Sequence, residues 1–171
     1  MALTADKVLL HGYCWGTALW YGSRGLCRVW DPLMVIGCTS SSPSSFDTKQ
    51  SPNAPLGFRP PVEKHLKPTD LELYNVRTDG WGLISQAVAL AVLSRGYSKG
   101  GISRTYSSAF VAVSIFHHIT TMFGAWQHYK LDSHYTKAMS IGVWFNAFLT
   151  AVGGVVLGGL NNDSIARTKL A

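Results

Sequence analysis

Apolar and aromatic positions crowd the second half of the chain. Between Arg104 and Lys130, and again between Lys137 and Asp163, it runs 25 residues without a formal charge. The first stretch carries Phe110, Val111, Val113, Ile115, Phe116, Ile119, Met122 and Phe123. The second carries Ile141, Val143, Trp144, Phe145, Phe148 and Leu149, then a glycine-valine run ending at Leu160. At about 1.5 Å per residue a helix of this length reaches about 37 Å, more than the roughly 30 Å hydrocarbon layer of a bilayer. Two membrane-spanning helices are predicted, over about 105–129 and 138–160.

Two shorter apolar segments precede them. Gly80 to Ser94 gives 15 charge-free residues, with Thr78 or Asp79 placed to cap a helix. A span over about 78–97 follows if Arg95 and Lys99 snorkel outward and Trp81 marks the opposite interface. Val8 to Tyr21, continuing to Trp30, predicts a first helix over about 8–30; its alternative is a helix lying in the interface. From Cys38 to Pro68 the composition shifts to Ser, Pro, Asn and Lys. X-Pro bonds bias such a segment to extended conformations, so an extended loop over about 38–75 is expected, either a solvated linker or a strap over a partner. The pattern predicts an all-α, polytopic membrane protein of four transmembrane helices, with one membrane domain over 1–171 and a long Pro/Ser-rich loop after the first helix.

Composition refines this picture. At 171 residues the chain suits one compact unit, and its mean hydropathy is only slightly positive, as expected of spans alternating with a polar loop. The net charge of +6 at pH 7 comes from scattered Lys and Arg with no block resembling a nucleic-acid arm, so no nucleic-acid partner is expected. Those cations suit helix ends facing phospholipid headgroups or acidic neighbours. The residues before Val8 form neither a basic secretory n-region nor an Arg-rich presequence, which leaves the mitochondrial inner membrane and the endoplasmic reticulum membrane both open as locations. Cys14, Cys27 and Cys38 are odd in number and lack C-x-x-C spacing. Free thiols are expected, one Cys27–Cys38 disulfide being the alternative in an oxidising space.

Small-residue spacing supplies the clearest packing signal. Gly154 and Gly158 form a G-x-x-x-G pair that Ala147 and Ala151 extend by a turn, and Gly12 and Gly16 give the first helix a matching pair; these six are the expected helix-packing positions. Trp81, Trp126 and Tyr129 are the expected interfacial anchors, with Trp144 either an anchor or packed between helices. His117 and His118 fall mid-span and point about 100° apart, so only one can face a given ligand. With His11 opposite, one of them could hold a haem, as facing imidazoles do in four-helix bundles, but a hydrogen-bonded packing role is the expectation, and for Gln86 and Asn146 too. No catalytic residue, metal site or cofactor is predicted. Neither charge-free stretch contains the carboxylate or lysine an ion path would use, and no nucleotide loop, H-E-x-x-H or G-x-S-x-G occurs.

Two stretches, Gly57 to Gly82 (GFRPPVEKHLKPTDLELYNVRTDGWG) and His117 to Lys130 (HHITTMFGAWQHYK), together with the small-residue helix faces and the proline-rich loop, give the chain a family likeness. It resembles the fungal-type membrane accessory subunits of mitochondrial respiratory complex I, the NUXM-like proteins. The resemblance implies a multi-pass protein of the mitochondrial inner membrane, in contact with core and accessory membrane subunits and with phospholipids, supporting assembly or stability without catalysis of its own. The competing expectation is a small tetraspan enzyme, or a lipid- or haem-binding protein, built around His117 or His118, Gln86 and Asn146. Such a protein should converge those side chains on an internal pocket. An accessory subunit should leave its small-residue stripe and its aromatic face outside.

Overall fold

The computed structural model describes residues 5–36, 67–131 and 136–168, without the side chains of residues 5, 6, 98, 128 and 162–168. Among the described residues the protein is all-α: α1 (Ala5–Trp30), α2 (Pro32–Ile36), α3 (Asp70–Ser98), α4 (Arg104–Tyr129) and α5 (Lys137–Thr168). The segment read as a strap, including Cys38, lies outside the described residues up to position 66.

Three boundaries differ from the sequence expectation. The third helix begins at Asp70 rather than near Thr78, so the extended loop stops short of 75. Thr69 caps it: its extended backbone frees the hydroxyl to accept from the Glu72 N–H at 3.1 Å, while Asp70 and Glu72 sit favourably in the first turn. Helix α2 was not expected at all. Asp31 caps it by accepting from the Met34 N–H at 3.0 Å, and Pro32 occupies the first position, where a missing N–H costs nothing. The last helix continues past Leu160 to Thr168.

Buried positions recur every three or four residues on each long helix, so each presents a single inward stripe. On α1 the stripe is Leu10, Tyr13, Cys14, Thr17, Ala18 and Tyr21; on α4 it is Ser107, Val111, Ser114 and His118. Contacts fix the arrangement. His11 meets Ser94 and Gly25 meets Gly80, so α1 runs antiparallel to α3. His118 meets Asn146 and Ala125 meets Gly142, so α4 runs antiparallel to α5. Tyr13 lies against Gly153 and Trp20 against Phe145, which sets α1 antiparallel to α5. The result is an up-down-up-down bundle of two tight hairpins, α1–α3 and α4–α5, joined along a thinner seam.

Helices α4 and α5 are each long and apolar enough to cross a membrane, over Arg104–Gln127 and Lys137–Asn161, with mean hydropathy 1.3 and 1.7. Only 17% and 33% of these windows are buried within the protein. A helix this apolar in a soluble core would be mostly covered by its own chain. Helices α1 and α3 carry more charge and are not among the helices that reach this hydropathy.

A buried polar cluster and an arginine-edged cavity

At the middle of the bundle His118, on the inward stripe of α4, is fully buried between α1 and α5. Asn146, one level across on α5, orients its amide by donating from Nδ2 to the Gly142 carbonyl at 2.5 Å. That leaves Oδ1 facing His118 Nδ1 at 2.9 Å. An amide oxygen can only accept, so Nδ1 carries the proton and Nε2 keeps the lone pair. Tyr21 Oη of α1, 3.3 Å from the imidazole nitrogens, donates to it. The three side chains tie the α1–α3 hairpin to the α4–α5 hairpin. His117, a residue earlier, is half-buried; it meets Tyr21 edge-on at 5.1 Å and lies 3.4 Å from the Thr121 hydroxyl.

The two histidines therefore divide as their 100° offset requires, one inward and one sideways. His11 does not oppose them. It sits ten residues, about 15 Å, along α1 from Tyr21, in hydrogen-bond contact with Ser94 of α3. Both ring nitrogens of His118 are already engaged within the protein, so a haem iron would have to break the Asn146 or the Tyr21 bond to reach it. Gln86 stays half-buried on α3. Among the described residues no three His, Cys, Asp or Glu side chains group as metal ligands.

The glycine stripe read from the sequence faces outward. Ala151, Gly154 and Gly158 are exposed, Ala147 is half-covered, and a Cβ added at Gly154 or Gly158 would meet nothing within 4 Å. Gly12 and Gly16 are likewise open. Close approach within the chain runs through other glycines. A Cβ on Gly25 would lie 2.7 Å from the Gly80 carbonyl, and one on Gly153 would lie 2.7 Å from Ile115 Cγ1 and 2.9 Å from Tyr13 Oη. Among the described residues none packs against the Gly154–Gly158 stripe.

The helix directions place the C-terminal part of α1 at the same end of the bundle as the starts of α3 and α5 and the end of α4. Trp30, Trp81, Trp126 and Trp144 are all exposed at this end, and Trp126 stacks on Tyr129 at 5.4 Å. Here α1, α2 and α5 enclose a cavity of about 220 Å³ with mostly apolar walls and two cations, Arg24 and Arg28, on its edge. His118, Asn146 and Gln86 are not on its walls. Arg28 Nε pairs with Asp79 Oδ2 at 2.6 Å, while the Arg24 guanidinium lies 5.2 Å from the centre of the Trp20 ring. The sequence reading passed over both arginines. Their signal was an i, i+4 pair of cations on the buried face of an otherwise apolar helix. Of the thiols, Cys14 is buried and free, and Cys27 is exposed and free on the cavity wall.

The chain belongs to the family described as a domain of unknown function, DUF8792, which matches it over residues 13–169. No curated protein and no solved structure matches it.

Proposed function

We propose that this chain is a four-span, non-catalytic subunit of a large assembly of the mitochondrial inner membrane, the membrane arm of NADH:ubiquinone oxidoreductase (complex I) being the assembly its sequence resembles. Its role would be to support assembly or stability of that arm through helix packing against core and accessory subunits and through bound phospholipid.

The observation that carries this reading is the apolar outer surface of the bundle. An apolar core that includes Leu10, Leu90, Val111 and Leu160 also takes in Thr17, Ser94, Ser107, Ser114, His118 and Asn146, while Leu19, Trp30, Phe116, Phe123, Phe148 and Val155 point outward. In water that arrangement would expose large apolar patches on every long helix; in a bilayer, or against partner helices, it is the favourable one. The outward stripe of Ala151, Gly154 and Gly158, flanked by Trp144, Phe148 and Val155, fits a second helix approaching from outside. Tyr21, His118 and Asn146 are bonded to one another, which suits fastening better than chemistry.

Mild-detergent extraction of membranes, native gel separation and detection of this chain by mass spectrometry test the reading. Comigration with complex I is expected. Migration as a small free species would overturn the subunit assignment, and release from membranes by an alkaline wash would overturn the membrane reading itself.

A further inference from the structure

The cavity at the tryptophan-rich end is a polar-edged, apolar-walled space that the packing of the bundle does not use. Trp20, Met34, Val35 and Ile141 supply apolar wall, and Arg24 and Arg28 supply charge. Arg28 is engaged, pairing with Asp79 at 2.6 Å and donating from Nη1 to the Arg24 carbonyl at 3.2 Å. Arg24 differs. Its Nη1 is shut off from solvent, and no acceptor among the described residues reaches it. Arg24 also lines the cavity, and no carboxylate among the described residues forms an ion pair with it, so the cavity favours an anion bearing acceptor oxygens.

Charge and depth say which anion. Among the described residues the two guanidinium groups are met by the Asp79 carboxylate, which pairs with Arg28, so positive charge remains at Arg24 that a phosphodiester offsets. Its two unesterified oxygens also match the planar fork of an arginine. The exposed tryptophans lie at the same end of the bundle, where an aromatic belt meets the headgroup layer. We propose that the cavity holds one membrane phospholipid, its phosphate accepting hydrogen bonds from Arg24 and the start of an acyl chain lying against Trp20, Met34, Val35 and Ile141. The rest of the lipid would run along the outside of the bundle, since about 220 Å³ admits the phosphate, the glycerol and a few methylenes only. This inference rests on the membrane reading above and names the lipid site within it.

Cys27 on the cavity wall provides the reporter. The full-length protein, delipidated in mild detergent, would be titrated with phosphatidylglycerol while peptide-resolved mass spectrometry follows Cys27 alkylation. Phosphatidylglycerol should protect Cys27, whereas diacylglycerol with the same chains and no phosphate should not. Arg24→Gln should raise the lipid needed for half protection about tenfold, the loss of one charge-assisted contact, and Arg24→Lys should recover part of it. Equal protection by diacylglycerol, no protection by phosphatidylglycerol, or an unchanged midpoint in Arg24→Gln would each overturn the site. Protection by inorganic phosphate at the same concentration would overturn the lipid as its source in favour of a soluble anion. The diacylglycerol comparison uses the unmodified protein, so it stands even if the variant misfolds. An alkaline wash that leaves the chain in membranes while the lipid titration fails would sink this site alone.

Discussion

Gly80 and Gly82 sit two residues apart on α3 and face opposite surroundings, so the same substitution at each isolates the cost of helix contact. A Cβ on Gly80 would stand 2.8 Å from Arg28 Cβ, 2.9 Å from Val29 Cγ2 and 3.0 Å from the Gly25 carbonyl oxygen. Carbon atoms pack best about 3.5–4.0 Å apart, so α1 and α3 would have to separate by roughly 0.7 Å or more at this crossing. Neither Arg28 Cβ nor the Gly25 carbonyl can move without its backbone. Overpacking of this kind costs about 1–3 kcal/mol. A Cβ on Gly82 would meet nothing within 4 Å. Alanine improves helix propensity over glycine by about 1 kcal/mol at either position, and that gain cancels in the comparison. Gly80→Ala is therefore expected to be less stable than Gly82→Ala by about 1–3 kcal/mol, about five- to 150-fold in the unfolding equilibrium. Denaturing-detergent titration of the purified protein, followed by helical circular dichroism, measures the difference. Gly25→Ala should behave like Gly80→Ala, and the double variant should cost less than the two singles added, because a gap opened once serves both side chains. Equal stability of Gly80→Ala and Gly82→Ala would refute the close α1–α3 crossing.

Further outcomes are expected. A double-mutant cycle with His118→Leu and Asn146→Leu should give a coupling of about 0.6–1.7 kcal/mol, the range seen for hydrogen bonds between membrane helices, measured in the same titration. Replacing Gly154 and Gly158 together by Leu should leave that titration unchanged, since no described residue stands within 4 Å of a Cβ at either, yet reduce comigration with the large complex on native gels; normal comigration would remove the stripe from the docking argument. Thr69→Ala should cost about 1 kcal/mol locally and speed amide hydrogen exchange in the first turn of α3 without touching α4 or α5.

The four long helices and the two most apolar among them were legible in the sequence because long charge-free runs and bilayer thickness leave few alternatives, whereas the short α2 was not. Which face turns inward was not. On helices apolar all round, the 3.6-residue period carries little contrast, so the spacing did not mark Gly153, next to Gly154, as the glycine that meets Tyr13 and Ile115. His118 could be separated from His117 only by its phase with Ser107, Val111 and Ser114, three polar and apolar residues whose shared stripe becomes visible once a partner is placed. The start of α3 was legible and was overlooked. Thr69-Asp70-Leu71-Glu72 has the S/T-x-x-E form of a capping box, and the prolines before it drew the boundary too late.

The bundle's two hairpins are held by different means, and the difference bears on how it could serve a larger assembly. Within α1–α3 and α4–α5, glycine and alanine contacts bring backbones together, a geometry that one added carbon disturbs. Between the hairpins the seam depends on side chains reaching across: Tyr21 to His118, Tyr13 to the backbone at Gly153, Trp20 to Phe145. In lipid there is no hydrophobic drive to close such a seam, since hydrocarbon tails are as apolar as the helices; polar bonds and shape must do it. A polar cluster buried at mid-depth fixes register, because sliding either hairpin by one turn, about 5.4 Å, would leave His118 and Asn146 without partners in an apolar surround. The arginine-edged cavity lies at the end of that same seam, beyond the polar cluster, where Trp20 and Phe145 bridge. A phospholipid seated there would close the seam from the headgroup side, so removing the lipid should loosen the α1–α5 contact while leaving each hairpin intact. Hydrogen exchange on the delipidated protein should then rise at Trp20 to Arg28 and at Ala138 to Phe145, with α3 protected as before. Uniform loosening of all four helices would mean that the hairpins do not form independent packing units.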